Sequence, residues 1–429
     1  MQIIIKNIGK IKEAKVNLNG LTIIAGNNDS GKSTVSKIVF SVIKALQRYK
    51  EDFDYTKEKL LEKEIEMLYF HLRSIVLHSK SGNNEIRLNE LLKKEFYPPI
   101  FMNELTAFGG IDLFVNKKNL IQNLGLGQDD EKTLFHKIDK VKELFLKDEK
   151  REDLIKRALE SIIESEFENE LSNIKLGKVG TITLMEGMII LFQIDIENNK
   201  ISNVKIYDDI LRIKDTTFID TPITINLFNY LINTINYRGI RRNKEIQFHI
   251  KDLFSKIGNS KFEKERQNGF WKKVKDLVGG TFEIIQKGSL GDQLTFTQNG
   301  KNIDPINTAT GIKSFGILDL LDRSHCLDDS NLLILDEPEV HLHPEWQVKY
   351  AELIVGLVKE RGLTVLITSH SPYLIEGLNK FSKDNNIRDK FNLYLTKEET
   401  GYDIIEDKTD NAGEVFERLS APFEKLVWG

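Results

Sequence analysis

The sequence predicts an α/β fold, a mixed or parallel sheet flanked by helices, interrupted by a mostly helical insertion that contains a β-hairpin. Three observations carry this prediction. Near the start, short apolar strands lead into a glycine-rich turn and then a helix. Toward the end, continuous apolar runs alternate with amphipathic segments, the pattern of strands buried on both faces of a parallel sheet. Between them lie long Lys/Glu/Leu-rich stretches whose apolar residues recur at three and four positions, as on amphipathic helices.

The elements follow in order. Ile3 to Lys6 and Ala14 to Leu18 read as strands, and the apolar run Leu21 to Ala25 precedes the glycine-rich turn. A helix from about Lys32 to Tyr49 places Val35, Ile38, Val39, Val42, Ile43 and Leu46 on one face. Lys57 to Leu77 and Glu131 to Asn173 are helical by the same spacing. Gly180 to Tyr207 is a hairpin turning at Glu197, Asn198, Asn199 and Lys200. A strand over Phe218 to Ile225 comes before a helix near Leu227 to Ile235. Strands at Phe282 to Gln286 and Leu294 to Gln298 flank no helix, and a turn follows at Asn299-Gly300. A helix from about Gly311 to Arg323, the strand Leu332 to Leu335, a helix from Pro344 to Arg361, the strand Thr364 to Thr368 and a helix from near Pro372 complete the pattern. Residues 1–49 and 267–429 thus form one domain, with 50–266 inserted.

The chain has 429 residues, 40% of them hydrophobic and 29% charged, enough to build a sizeable core. Lys+Arg 61 against Asp+Glu 65 gives a net charge of -4, so attraction to nucleic acid or to an anionic membrane has to come from a local patch. Such a patch is available in Arg238-Gly239-Ile240-Arg241-Arg242-Asn243-Lys244, and in Lys261, Lys264, Arg266, Lys272 and Lys273 beside Phe270 and Trp271. A solvated helix face accounts for the same residues. The single cysteine, Cys326, excludes intramolecular disulfides and four-Cys zinc sites and suits a reducing, cytoplasmic compartment. Leu184 to Ile196, the longest apolar stretch, is broken by Glu186, Gln193 and Asp195 and is too short to span a bilayer. No membrane association is expected.

Two motifs carry chemistry. Gly26-Asn27-Asn28-Asp29-Ser30-Gly31-Lys32-Ser33 fits GxxxxGK[ST], and Thr34 beside it joins these residues as a candidate for nucleotide binding. Glycines let such a loop wrap its N–H groups around phosphates, while Lys32 reaches the β and γ phosphates and the Ser33 hydroxyl ligates Mg²⁺. Leu332-Leu333-Ile334-Leu335-Asp336-Glu337 is an apolar strand ending in two acids. Behind a phosphate loop, Asp336 belongs to the Mg²⁺ shell and Glu337 is placed to activate water. The expected ligands are therefore ATP and Mg²⁺.

Asp336-Glu337-Pro338-Glu339, Val340-His341-Leu342-His343-Pro344 and Ile367-Thr368-Ser369-His370-Ser371-Pro372 resemble the ATP-binding-cassette ATPases of the SMC and OLD group. The chain is similar in this respect to the ATPase subunits of bacterial phage-defence systems such as Septu. The resemblance implies that His370 senses the γ phosphate. It also implies a signature segment before the acidic strand, where Ala309-Thr310-Gly311-Ile312-Lys313-Ser314 stands in place of LSGGQ. Thr310 and Gly311 retain a hydroxyl and an open N–H at a helix start, suited to a phosphate. An ordinary helix start capped by Thr310 fits as well. In this group the signature of one subunit closes over the nucleotide of the other, so a head-to-tail dimer is implied. For the family's glutamine loop the candidates are Gln193 and Gln247. His341 and His343 lack a third zinc ligand and are expected to shape their loop.

Fifty-nine residues follow His370, too few for the nuclease domain that OLD proteins carry, so the expected effector is a separate chain, a nuclease gated by this ATPase. Two alternatives stand beside it: a DNA-repair or chromosome-type ATPase that clamps DNA itself, and a slow ATP-gated scaffold.

Overall fold

The computed structural model describes all residues except 79–88, 109, 169–170, 172–177, 209–210, 235–245, 261–268, 287–291 and 429. The chain begins with β1 (Gln2–Ile8) and β2 (Ile11–Asn17), an antiparallel pair, followed by β3 (Leu21–Ala25), whose five residues are all buried. Helix α1 (Lys32–His78) follows the glycine-rich loop. It runs through the two separate helices expected at 32–49 and 57–77, because residues 50–56 contain neither glycine nor proline to break it.

Two compact units form. One comprises Arg48–Leu154. It holds the second half of α1, a π-helical turn Leu92–Phe96, α2 (Pro98–Phe108), α3 (Ile111–Gln122) and α4 (Gln128–Leu146). Leu61, Ile65, Leu68 and Leu72 pack with Phe96, Phe101, Phe114, Ile121, Leu134, Ile138 and Val141 in a core of its own. Lys117 is 1% exposed in it, its ammonium 3.0 Å from Glu95 and 2.6 Å from Glu104 and over the rings of Phe96 and Phe101. Two carboxylates and two π faces replace the water this cation gives up.

The other unit comprises Met1–Gln47 and Ile155–Gly429. Helix α5 (Arg151–Phe167) leads into it, and the expected helix over Glu131 to Asn173 is split between α4 and α5, with Asn173 outside the described residues. Next come β4 (Gly180–Glu186), β5 (Ile189–Glu197), β6 (Lys200–Ile206) and β7 (Asp215–Ile219). The β5–β6 turn falls at Asn198 and Asn199, both left-handed, as the hairpin reading expects. The strand expected to reach Ile225 stops at Ile219, because Pro222 opens a 3-10 turn capped by Thr221. Helices α6 (Phe228–Thr234), α7 (Phe248–Asn259) and α8 (Gly269–Val278) precede a small antiparallel sheet of β8 (Thr281–Gln286), β9 (Asp292–Gln298) and β10 (Lys301–Ile303). The remainder is α9 (Thr310–Arg323), β11 (Asn331–Asp336), α10 (Pro344–Arg361), β12 (Thr364–Ser369), α11 (Pro372–Asp384), β13 (Phe391–Glu399), β14 (Tyr402–Asp407) and α12 (Ala412–Trp428).

Eleven strands form one mixed sheet in the order β6-β5-β4-β1-β2-β14-β13-β3-β12-β11-β7. From β13 to β7 all neighbours are parallel, so these five strands end on one edge. One face packs α9, α10 and α11 through Leu318, Ile354 and Leu374, and on the other Phe40 of α1 meets Phe218 of β7, ring centroids 5.9 Å apart. The expected insertion over 50–266 therefore differs from the compact unit. Residues 155–266 include β4, which pairs with β1 from Gln2↔Met185 to Lys6↔Thr181 and carries the hairpin into the main sheet. A sheet edge left open at β1 is completed by that ladder, which sequence periodicity does not reveal.

A buried charge cluster fastens α1 to β7 and α7. Lys44 contacts Asp215 and lies 2.8 Å from Asp252, while Lys256 is 2.9 Å from both acids. Burial pushes the Asp252 carboxyl up, but Lys256 and Lys44 overcome it and hold the group down at about 2. Burial pushes the nearby Cys326 thiol up to about 11, against the pull of Lys256.

Candidate active site

The five parallel strands deliver their chemistry at one edge, where ligands of open α/β sheets bind. Ala25 ends β3 beside Ser369 of β12, and Asp336 ends β11 beside Thr368. Gly26, His370 and Glu337 follow these three ends directly.

The loop between β3 and α1 is shaped by two glycines. A Cβ on Gly26 would stand 1.8 Å from Thr396 Oγ1 on β13, and Gly31 sits at φ +76°, a left-handed conformation costly for other residues. Thr396 donates to the Ser30 hydroxyl at 2.9 Å, and Ser30 donates to the Asn27 carbonyl at 2.7 Å. Asn27, Asn28 and Asp29 form the exposed crest; Asp29 is left-handed and its carboxylate is held by Lys10. Lys32 is 3% exposed, its ammonium donating to the Asn27 carbonyl at 2.7 Å and lying 3.5 Å from Glu337 Oε1. Thr34 follows Ser33 in the first turn of α1.

Asp336 accepts a hydrogen bond from the Thr368 hydroxyl, and the Ser33 hydroxyl stands close enough to favour its charged form. Burial raises its carboxyl above the usual range, as does the Glu337 charge, while those two hydroxyls and Lys32 pull it down. Paired hydroxyl and carboxylate oxygens at Ser33 and Asp336 are the hard donors that Mg²⁺ takes, so the expected pair fits that ion.

Glu337 is left-handed at φ 49°, and its N–H donates to the Thr368 carbonyl at 3.0 Å. A non-glycine residue held there stores strain, a feature concentrated at functional turns. The turn brings Glu337 Oε1 within 3.6 Å of His370 Nδ1. Lys32, Ser33, Asp336, Glu337 and His370 thus converge at the strand ends.

Thr310 and Gly311 do not join this group; no hydrogen bond or ion pair links them to the loop among the described residues. Gly311 instead lies under Trp346 and Leu342, to which a Cβ would stand 3.0 and 3.2 Å. The cap of α9 is Ala309, so Thr310 belongs to the first turn and is not the capping residue. His343 caps α10, accepting from the Glu345 N–H at 3.3 Å, and His341 is left-handed at φ 67°. Among the described residues no group of three His, Cys, Asp or Glu side chains is placed to hold a metal ion.

Neither glutamine candidate lies at the strand edge: Gln193 is within β5, bonded to Asp195, and Gln247 precedes α7. On the side away from β12, β11 pairs with β7, and Asp220 follows the end of β7, its carboxylate accepting from Thr221 N at 2.6 Å and Thr224 Oγ1 at 3.1 Å. Behind it the His249 ring sits between Glu166, 2.7 Å away, and Asp220, 3.4 Å away. Asp220 escapes sequence reading because only parallel register brings the end of β7 next to the end of β11, and the pairing of Thr368 with Asp336 likewise depends on the β11–β12 register. The basic runs Arg238 to Lys244 and Lys261 to Arg266 lie outside the described residues, as do the side chains of Phe270, Trp271 and Lys273.

A family profile described as AAA ATPase domain matches residues 1–375. The chain belongs to this ATPase family. Curated proteins give no match to it. Among solved structures, an SMC head bound to the C-winged helix domain of ScpA is similar over 96% of this chain and 98% of that one, at 11% identity and TM-score 0.43. The SMC head domain from Thermotoga maritima aligns over 95% and 97%, at 10% identity and TM-score 0.37. An SMC head with an extended coiled coil, from Pyrococcus furiosus and bound to the C-terminal domain of ScpA, aligns over 97% and 98% at 10% identity and TM-score 0.34. The loop built on Gly26, Gly31 and Lys32 lies within the residues that this family profile matches.

Proposed function

We propose that this ATPase works as an SMC/OLD-type head that closes head-to-tail around two ATP molecules and opens on hydrolysis. The observation that carries the reading is the convergence of Lys32, Glu337 and His370 at the ends of adjacent parallel strands, within 3.5 and 3.6 Å of one another in turn. Lys32 leaves its contact with Asn27 for the β and γ phosphates. Ser33 and Asp336 hold Mg²⁺, which when bound neutralises charge on the phosphate oxygens. Glu337 takes the proton of the attacking water, and His370 holds the γ phosphate in line. Thr310 and Gly311 of a second copy cover the open side of the site, an arrangement supported by their separation from the loop of their own chain.

Losing a general base costs roughly 10²- to 10⁴-fold in turnover. Glu337→Gln is therefore expected to bind ATP, stop turning over and elute as a dimer in size-exclusion chromatography with ATP and Mg²⁺. Lys32→Ala is expected to lose nucleotide binding, measured with a fluorescent ATP analogue. Wild-type turnover in Glu337→Gln would refute the assignment.

The motif resemblance supports a further role as the regulatory subunit of a bacterial antiviral system that gates a separate nuclease. Co-purification from the native host tests it: a nuclease partner supports gating, and DNA-stimulated turnover by the chain alone would favour direct clamping of DNA.

A further inference from the structure

Glu339, the last acid of Asp336-Glu337-Pro338-Glu339, has no part in the chemistry above, yet it is 4% exposed and placed under His370. One of its oxygens, Oε1, accepts from Ser369 Oγ at 2.7 Å, from the His370 N–H at 2.9 Å and from the Ser371 N–H at 3.2 Å. The same oxygen lies 3.4 Å from His370 Nδ1. The other, Oε2, is buried with no hydrogen-bond partner among the described residues. A buried acceptor left unpaired is destabilising, so stability alone does not select a glutamate here.

A second tie runs in parallel. Gln347 of α10 donates to the Leu342 carbonyl at 2.9 Å and accepts from Ser371 Oγ at 2.5 Å, while Ser371 caps α11. Together Glu339 and Gln347 couple the segment after the catalytic acids to the segment carrying His370. Glu339 grips the backbone of the histidine itself, and its hydrogen bonds, being charge-assisted, are the stronger kind.

We infer that Glu339 is a positioning residue for hydrolysis: its Oε1 clamps the His370–Ser371 backbone and so sets the imidazole beside Glu337. The inference rests on the role of His370 proposed above. Because Glu339 makes no contact with the phosphate loop in the hydrogen bonds and ion pairs described, its loss acts on kcat and spares ATP binding. Misplacing a catalytic group by about an ångström costs up to 10²-fold.

The test compares kcat and KM for ATP in full-length Glu339→Ala, Glu339→Gln, His370→Ala and the Glu339→Ala/His370→Ala double variant. Glu339→Ala is expected to lower kcat by roughly tenfold to a hundredfold with KM within about threefold of wild type. Glu339→Gln keeps an oxygen able to accept the same three donors and is expected to restore kcat to within about threefold of wild type. In the His370→Ala background, Glu339→Ala is expected to add no further loss, since the group it positions is gone. Equal damage from Glu339→Gln and Glu339→Ala, or fully additive losses in the double variant, would overturn the clamp. Should Glu339→Ala not fold, the Gln variant and its double with His370→Ala carry the test: a slow Glu339→Gln overturns it. Wild-type kcat in His370→Ala would instead remove the proposed role of His370, a separate failure.

Discussion

His249 carries charge in the interior of the ATPase. Burial alone would lower its pKa, but the carboxylates of Asp220 and Glu166 on either side raise it to about 9 from an ordinary value of 6.5. A group whose pKa is raised on folding stabilises the native state fully below its unfolded value, and that contribution disappears as pH climbs through the folded value. The window is therefore pH 6.5 to about 9, and the contribution at its lower end is about 3 kcal/mol. Denaturant unfolding at a series of pH values is expected to show wild type well above His249→Phe near pH 6, with the gap narrowing toward pH 9. A gap unchanged across that range would mean that the ring does not hold the proton. Asp220 follows the end of the strand paired with β11, and the His249 ring 3.4 Å away steadies its carboxylate.

At the scale of elements, the phosphate loop depends on a strand that enters the sheet some 370 residues later. Thr396 of β13 can close against residue 26 only because it is a glycine, and a methyl group there would collide with the Thr396 hydroxyl. Overpacking of this kind costs about 1–3 kcal/mol. Gly26→Ala is expected to weaken binding of a fluorescent ATP analogue by roughly tenfold or more, with partial recovery in Gly26→Ala/Thr396→Ala. No recovery would place the damage elsewhere in the loop. Elements that carry strong local signals were legible: β3, α10 and the turn at Asn299 and Gly300 stand where periodicity and turn chemistry put them. So were Lys32, Ser33, Asp336, Glu337 and His370, because their motifs are contiguous. Pairing was not legible. Nothing in Gly180 to Tyr207 announces that β4 joins β1, nothing in Thr396 announces a neighbour 366 positions away, and nothing in Thr368 announces its bond to Asp336. Those depend on tertiary register, and Glu339 depends on a turn whose strained backbone no propensity foretells.

At the scale of the whole molecule, every residue assigned to the nucleotide lies in the unit of Met1–Gln47 and Ile155–Gly429, while Arg48–Leu154 has a separate core built on Phe96, Phe101, Phe114 and Ile138. A chain of residues 48–154 alone is therefore expected to give helical circular dichroism and a sigmoidal thermal melt. A broad, non-cooperative transition would show that this core depends on the rest of the chain. No helix among the described residues is long and apolar enough to cross a membrane. The solitary Cys326 has a practical consequence. Burial raises its thiol to about 11, which keeps thiolate scarce at pH 7, so maleimide reagents meet it slowly. The unmodified protein thus already serves as a quiet background for spectroscopy. A cysteine introduced at an exposed surface position could be labelled selectively and its fluorescence followed as ATP is bound and hydrolysed.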